Sequence, residues 1–418
     1  MNDTLTPIDR HHTGTPVRAG SDRGRNLLRA VRHYGPVLAM YGVLKLIGFL
    51  SFMYLLDSAG DFRKKNPRFG GGAHAWDVLA SWDGWWYQQI AAHGYDPALV
   101  RIPGATGLIT LEGNSAAFFP LYPATMRLVS DCTGLGLYGA GLLVSVLASF
   151  AAALGIYAVT ARFGGRRAGL AAAGLWAVWP GSGTQWSGYS EALYVALAVW
   201  ACHAVMSDRW LTAGALTFAA GFNRPTAVAL IAALTVAALR TLHRRQDDVA
   251  RPMTAILIAP LGLLGYLLWV GNQMGDLGGY FKLQKGAWAH TFDFGKQTLD
   301  VFTSVAVGRS DYLFPCTVED IIGVLVVLLG LLLIPLLIRL RPPAVLTVYT
   351  ILTFVLVLGS QQIFGNVSRY LLPAFPLLIP LAVRLRSVGL PLLCALLGLT
   401  ALASGSYAGY VLFELGVP

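Results

Sequence analysis

Val37-Leu38-Ala39-Met40-Tyr41-Gly42-Val43-Leu44-Lys45-Leu46-Ile47-Gly48-Phe49-Leu50-Ser51-Phe52-Met53-Tyr54-Leu55-Leu56 carries one charged residue, Lys45. As a helix it is long enough to cross the roughly 30 Å hydrocarbon core of a bilayer, which takes about 20 residues. Comparable apolar stretches recur to the C-terminal end. The chain is 55% hydrophobic and 12% charged, with a positive mean hydropathy, whereas soluble domains carry roughly 25% charged residues. A soluble fold is excluded. The expectation is an all-α polytopic membrane protein with about eleven transmembrane helices.

A formal charge of +10 raises nucleic acid as a partner, but the basic residues stand in short clusters between apolar runs. Arg23, Arg25, Arg29 and Arg32 precede the first span, and Arg162, Arg166 and Arg167, then Arg240, Arg244 and Arg245, then Arg339 and Arg341, then Arg384 and Arg386 follow later ones. Such clusters on alternate connections are what the positive-inside rule produces. The sequence therefore predicts a cytosolic N-terminus, membrane lipids as surroundings and no nucleic acid. Residues 1–34 read as a disordered, basic cytosolic tail, and 35–418 as a single transmembrane domain. The first span is too long and too late for a cleaved signal peptide.

Further spans are expected at Leu135–Ala161, Ala168–Thr184, Glu191–Ser207, Trp210–Phe222, Thr226–Leu239, Met253–Gly271, Glu319–Ile338, Ala344–Ser360, Tyr370–Val383 and Val388–Leu412. The helices flanking Asn223-Arg224-Pro225 are too short to cross unaided, which predicts a break with non-helical backbone lining a cavity. Two long segments, 57–134 and 272–318, fall on the exoplasmic side, and the second reads as a lid. Cys132 and Cys316 lie by these segments, where a disulfide between them is one option.

The first loop holds Trp82-Asp83-Gly84-Trp85-Trp86-Tyr87 and Phe118-Phe119-Pro120-Leu121-Tyr122-Pro123. Helical spacing puts Trp82, Trp86 and Ile90 on one face and Asp83 with Tyr87 on a neighbouring stripe. An interfacial helix there would keep tryptophans at headgroup depth and a carboxylate at the water boundary. An aromatic belt with a capping Asp83 is the plainer alternative. Lys45 is read either as facing the bundle interior or as reaching an interface. His74 and His93 lack partners at ligand spacing, so no metal site is expected.

These motifs, with Ile90-Ala91 and Gly94-Tyr95, resemble the first luminal loop of the PIG-V family of mannosyltransferases. The resemblance continues in Gly188-Tyr189-Ser190-Glu191-Ala192-Leu193-Tyr194, in Asn223-Arg224-Pro225, in Gly275-Asp276 with Gln284 and Trp288, and in Ser368-Arg369-Tyr370. It covers roughly residues 76–376. It implies a GT-C-type glycosyltransferase with interfacial helices in its first exoplasmic loop. The implied substrates are a polyprenyl-phosphate-mannose donor and a lipid-borne acceptor, and no cofactor is implied. Ser81 stands where that family has a basic residue before Trp-Asp, which bears on the acceptor more than on the reaction. The Ala, Gly, Arg and Leu bias resembles that of a high-GC bacterium, which implies a plasma-membrane protein with an extracytoplasmic active site.

By that pattern Asp83 is the general base. Glu191 and Asp276 orient sugar hydroxyls, with Trp82, Tyr87, Tyr122 and Gln284 as further substrate-binding residues. Arg224 and Arg369, and more weakly Lys282, are the candidates for the donor phosphate, because a guanidinium suits bidentate phosphate contact. A single in-line displacement from a β-linked donor gives an α-mannoside. A transferase for another polyprenyl-phosphate sugar and a lipid or sugar transporter are the rival readings. Transporters place their sites at the midplane between repeated halves, and no such halves are seen here.

Overall fold

The structure, a computed structural model, describes residues 19–103, 109–244, 249–308 and 317–415. In chain order the helices are α1 (Ala19–Ala59), α2 (Asp83–His93), α3 (Leu121–Thr133), α4 (Leu137–Ala177), α5 (Glu191–Val205), α6 (Trp210–Gly221), α7 (Ala227–Arg244) and α8 (Ala250–Ile258). They continue with α9 (Leu261–Gln273), α10 (Gly279–Trp288), α11 (Lys296–Val307), α12 (Thr317–Arg339), α13 (Ala344–Gly359), α14 (Val367–Tyr370), α15 (Leu378–Leu385) and α16 (Leu390–Ser406). Two antiparallel two-stranded ribbons pair β1 (Arg101–Pro103) with β2 (Ile109–Leu111) and β3 (Thr291–Phe292) with β4 (Ser360–Gln361).

Six helical stretches are long and apolar enough to cross a membrane: Arg32–Ala59, Leu137–Ala177, Ala227–Arg244, Ala250–Gln273, Val318–Arg339 and Leu390–Phe413. A seventh is the pair Phe364–Tyr370 and Phe375–Leu385, bent by 78°, where Pro373 and Pro376 forbid a continuous helix. Helices α5, α6 and α13 are shorter apolar helices among them. Each expected span has its counterpart once α4 is counted as two helices that meet at Gly165, whose φ of 75° breaks the ladder. The protein is an all-α, multi-pass membrane protein.

Several expected boundaries move. The span placed at Ala168–Thr184 ends as α-helix at Ala177, because Pro180, Gly181 and Gly183 break it, and residues 178–190 form a buried segment of turns and a short 3-10 helix, Pro180–Gln185. The span placed at Tyr370–Val383 is the bent pair. Residues 19–34, expected as disordered tail, continue α1 toward the N-terminus, consistent with the helix-forming Leu and Arg they contain. Residues 1–18 and Cys316 lie outside the described residues, so the Cys132–Cys316 pairing does too.

With lipid as solvent, burial sorts differently from a soluble protein. On α1, Val43, Leu46, Leu50 and Tyr54 form an exposed stripe, while Val37, Tyr41, Leu44, Phe52 and Leu56 face the bundle. The stripe is what lipid tails cover. Lys45 is resolved toward the interior: its ammonium donates to the Ser182 carbonyl at 3.0 Å and lies 3.5 Å from the centre of the Trp186 ring.

The last described helix closes against the first through small residues. A Cβ at Gly405 would stand 2.2 Å from the Gly48 carbonyl, and one at Gly409 would stand 2.7 Å from Phe52 Cα. Gly405 and Gly409 thus have the four-residue spacing that lets membrane helices approach closely. We expect Gly405→Val to destabilise the detergent-solubilised protein by about 1–3 kcal/mol, the range for overpacking, and to lower its thermal midpoint. Gly398→Val, where an added Cβ meets nothing within 4 Å, should leave the midpoint unchanged.

Candidate active site

Asp83 and Glu191 are each the first residue of a helix, α2 and α5, where the unpaired N–H groups and the dipole favour a carboxylate. The chain reaches Asp83 through Trp82, a bulky residue held at φ 55° and ψ −116°. That conformation is strained for a side chain of this size. The turn is moored by the Trp82 N–H, which donates to the Arg68 carbonyl at 2.9 Å. Helix α2 then sits tightly on the turn before α5. Gly188 N–H donates to Leu79 O at 2.8 Å, and a Cβ at Gly84 would stand 3.1 Å from the Gly188 carbonyl.

Four charged side chains meet there. Arg369 Nη2 donates to Asp83 Oδ2, and its Nε donates to Glu191 Oε1. Arg224 Nη1 lies 2.7 Å from the same Glu191 oxygen and 3.1 Å from Ser190 Oγ. The Arg369 guanidinium also covers the Tyr189 ring, 4.6 Å from its centre. Asn223 donates to the Ser190 carbonyl at 3.0 Å, and Tyr87 donates to Ser190 Oγ at 2.8 Å. The Glu191 and Arg369 side chains are each 2% exposed, whereas Asp83 is 27% exposed. Asp83 is therefore the carboxylate that a ligand can reach. Glu191 Oε2 is buried without a hydrogen-bond partner, a condition that costs free energy until a donor meets it.

Arg369 is carried by α14, in the first limb of the bent helix pair. Trp179 Nε1 donates to the Ser368 carbonyl at 2.6 Å, and Trp176 Nε1 to the Leu372 carbonyl at 3.2 Å. A Cβ at Gly181 would stand 2.5 Å from Arg369 Cα. Only glycine at 181 lets the two segments lie this close. The expected break at Asn223-Arg224-Pro225 is present between α6 and α7, and it is what turns Arg224 toward Glu191.

The remaining residues singled out from sequence fall elsewhere. Tyr122 has no open face: its hydroxyl is shared with Gly141 O at 2.9 Å and Ser145 Oγ at 2.8 Å, and it is fully buried. It touches the site through the Tyr87 ring, 4.8 Å away between centres. Tyr87, expected on a stripe beside Asp83, is buried on Ser190. Asp276 and Lys282 pair with each other on the second long loop. Lys282 and the Gly278 N–H hold the Asp276 carboxyl below the usual carboxylate range. Gln284 donates to the Ala117 carbonyl at 3.3 Å and to Tyr280 at 3.1 Å, joining the two loops. Trp82 Nε1 is buried without a partner.

Helix α10 lies over the first loop, with Trp288 6.2 Å from Trp86 and 5.9 Å from Phe118 between ring centres. His290, not assigned a role from sequence, follows in that loop. Burial lowers its pKa, with Asp83 acting to raise it and Arg369 to lower it, so it lies within reach of the cluster's charges. Beside the Asn223–Arg224 break, an apolar cavity of about 340 Å³ is lined by Tyr95, Pro120, Phe222, Gly265, Tyr266 and Trp269. Among the described residues no group of three or more His, Cys, Asp or Glu side chains is placed to hold a metal ion.

No family model matches the chain, and a search of curated proteins returns no match. Among solved structures, the oligosaccharyltransferase of Archaeoglobus fulgidus in its apo form is similar over 89% of this chain and 56% of its own, at 14% identity and a TM-score of 0.50. The chain has a GT-C-type fold. ArnT from Cupriavidus metallidurans in the apo state is similar over 87% of this chain and 60% of its own, at 13% identity and a TM-score of 0.47. The chain thus spans no more than about 60% of the length of these structures.

Removing Arg369 leaves Asp83 without its cation, and removing Glu191 leaves Arg224 without its carboxylate; breaking a buried pair in this way typically costs about 3–5 kcal/mol. Arg369→Met and Glu191→Gln should each destabilise on that scale in denaturant unfolding in micelles. The double variant should lose less than the sum, because the two share one interaction. Additive losses would show that the pair is not coupled.

Proposed function

We propose that this protein is an inverting glycosyltransferase that moves mannose from a polyprenyl-phosphate-mannose donor to a lipid-borne acceptor, forming an α-mannoside outside the cytosol. The observation that carries the proposal is convergence. Four of the sequence patches resembling PIG-V mannosyltransferases, separated by up to 286 residues, meet in one charge cluster in which the Asp83 carboxylate is open to a ligand. The GT-C-type fold supports the same class of reaction, and the apolar cavity beside Arg224 offers a surface suited to a lipid tail.

In this reading Asp83 Oδ1, which carries no hydrogen bond among the described residues, takes the proton of the acceptor hydroxyl. The acceptor oxygen bonds to the anomeric carbon as the bond from that carbon to the phosphate oxygen breaks, and the electron pair leaves with the polyprenyl phosphate. One inversion converts a β-linked donor into an α-product. Arg369 holds Asp83 oriented. Glu191 presents Oε2 to a sugar hydroxyl, and Arg224 fixes Glu191. Arg224 and Arg369 reach a donor phosphate only by sharing it with the carboxylates they already hold, and Lys282 only by releasing Asp276. The N-terminus is placed in the cytosol and the two long loops outside a bacterial plasma membrane, following the arginine clusters. A GT-C transferase for another polyprenyl-phosphate sugar is the second reading, since nothing in the charge cluster is particular to mannose.

The test is transfer of radiolabelled mannose from polyprenyl-phosphate mannose to membrane lipids by the purified protein. Asp83→Asn should lower the rate by about 10²–10⁴, the range for loss of a general base, while the variant remains folded. Equal rates would remove Asp83 from the chemistry. Transfer of a different sugar, with none of mannose, would establish the second reading.

A further inference from the structure

The buried cluster is electrically self-contained. Asp83 and Glu191 bring two negative charges, Arg369 and Arg224 bring two positive ones, and all are in contact. A leaving phosphate adds negative charge that this cluster can offset only by giving up one of its own pairs. In-line displacement adds a geometric demand. The incoming and departing oxygens lie on opposite faces of the anomeric carbon, so the cation that meets the phosphate stands a sugar's width from the base. Arg369, bonded to Asp83 itself, is at the base's end. A further cation, unpaired and displaced from Asp83, is required.

We infer that Arg68 is the residue that binds the donor phosphate, an assignment that rests on the glycosyltransferase reading above and deepens it. Arg68 lies in the first long loop in a 3-10 turn, Pro67–Phe69, capped by Asn66, whose side chain accepts the Arg68 N–H at 2.9 Å. Its carbonyl holds the Trp82 N–H, so its backbone is tied to the residue before Asp83. Its guanidinium carbon lies 4.9 Å from the centre of the Trp85 ring and 4.7 Å from that of Trp86, both in the first turn of α2.

Among the described residues no carboxylate pairs with Arg68. Glu112 acts on it only at longer range. Its Nε is buried without a hydrogen-bond partner. Beside its Nη2 is Gly113, where an added Cβ would stand 3.7 Å from that nitrogen and 3.1 Å from Trp288. The guanidinium thus stands against two aromatic rings at cation–π distance, and no carboxylate pairs with it among the described residues. A planar fork of this kind matches a phosphate's oxygens.

The experiment measures binding of undecaprenyl phosphate to the purified full chain in detergent, alongside mannose transfer. Arg68→Met keeps the apolar stem on the tryptophans and removes the charge, and Arg68→Lys keeps the charge without the fork. Arg63→Met, at an exposed arginine of the same loop, serves as the control for loss of a basic side chain away from the site. We expect Arg68→Met to weaken binding by tenfold or more and to raise the donor KM, Arg68→Lys to recover part of that loss, and Arg63→Met to bind as the wild type does. Wild-type affinity in Arg68→Met would overturn the assignment and leave the glycosyltransferase reading standing. Failure of the wild type to bind undecaprenyl phosphate, or to transfer from a polyprenyl-phosphate donor, would overturn both.

Discussion

The contact of Arg369 with both Asp83 and Glu191 is the constraint around which the rest of the structure is arranged. A guanidinium and a carboxylate each at 2% exposure are tolerable in a membrane protein only as partners. That requirement ties α2, α5, the α6–α7 break and α14 to one another. The supporting features follow from it. Gly181 is needed to admit the Arg369 backbone, Gly84 to let α2 approach the turn before α5, and the Trp176 and Trp179 indoles to fix the carbonyls around Arg369. The strained Trp82 places the one accessible carboxylate at the mouth of this arrangement.

The two long loops form a single cover. Gln284 bonds to the first loop from the second, Trp288 packs on Trp86 and Phe118, and β3 pairs with β4, just before the segment that carries Arg369. Aromatic rings make most of these contacts. They exclude water from the cluster's outer side while leaving Asp83 open, which strengthens every charge interaction beneath them.

The helices were legible in the sequence because hydropathy over about 20 residues is a strong signal in a bilayer. What hydropathy does not register is backbone geometry. It runs through Pro180 and Gly181 without marking that α4 must stop at Ala177, and it reads across the 78° bend between Tyr370 and Phe375. For the site, residue type and motif singled out Asp83, Glu191, Arg224 and Arg369, yet as separate parts with separate duties. Their mutual neutralisation is a property of tertiary contact between distant segments, and no local pattern encodes it. The same holds for Tyr122, whose motif drew attention but whose hydroxyl is spent on Gly141 and Ser145. It holds in the opposite sense for Arg68, one basic residue among several in a polar loop, distinguished only by the rings beneath it.

The separation of Asp83 from Arg369 by 286 residues also governs the order in which the molecule is made. At the roughly 5–20 residues per second of synthesis, the carboxylate precedes its guanidinium by about 15–60 s. During that interval Glu191, too, must wait for one of its two cations, with Arg224 emerging early enough to hold it alone. The nascent bundle therefore matures from a neutral Glu191–Arg224 pair with a free Asp83 to the complete cluster only when α14 arrives. The Gly405–Gly48 contact then fastens the first helix to the last, so that assembly of the chemistry and closure of the bundle fall within one late stage of biogenesis.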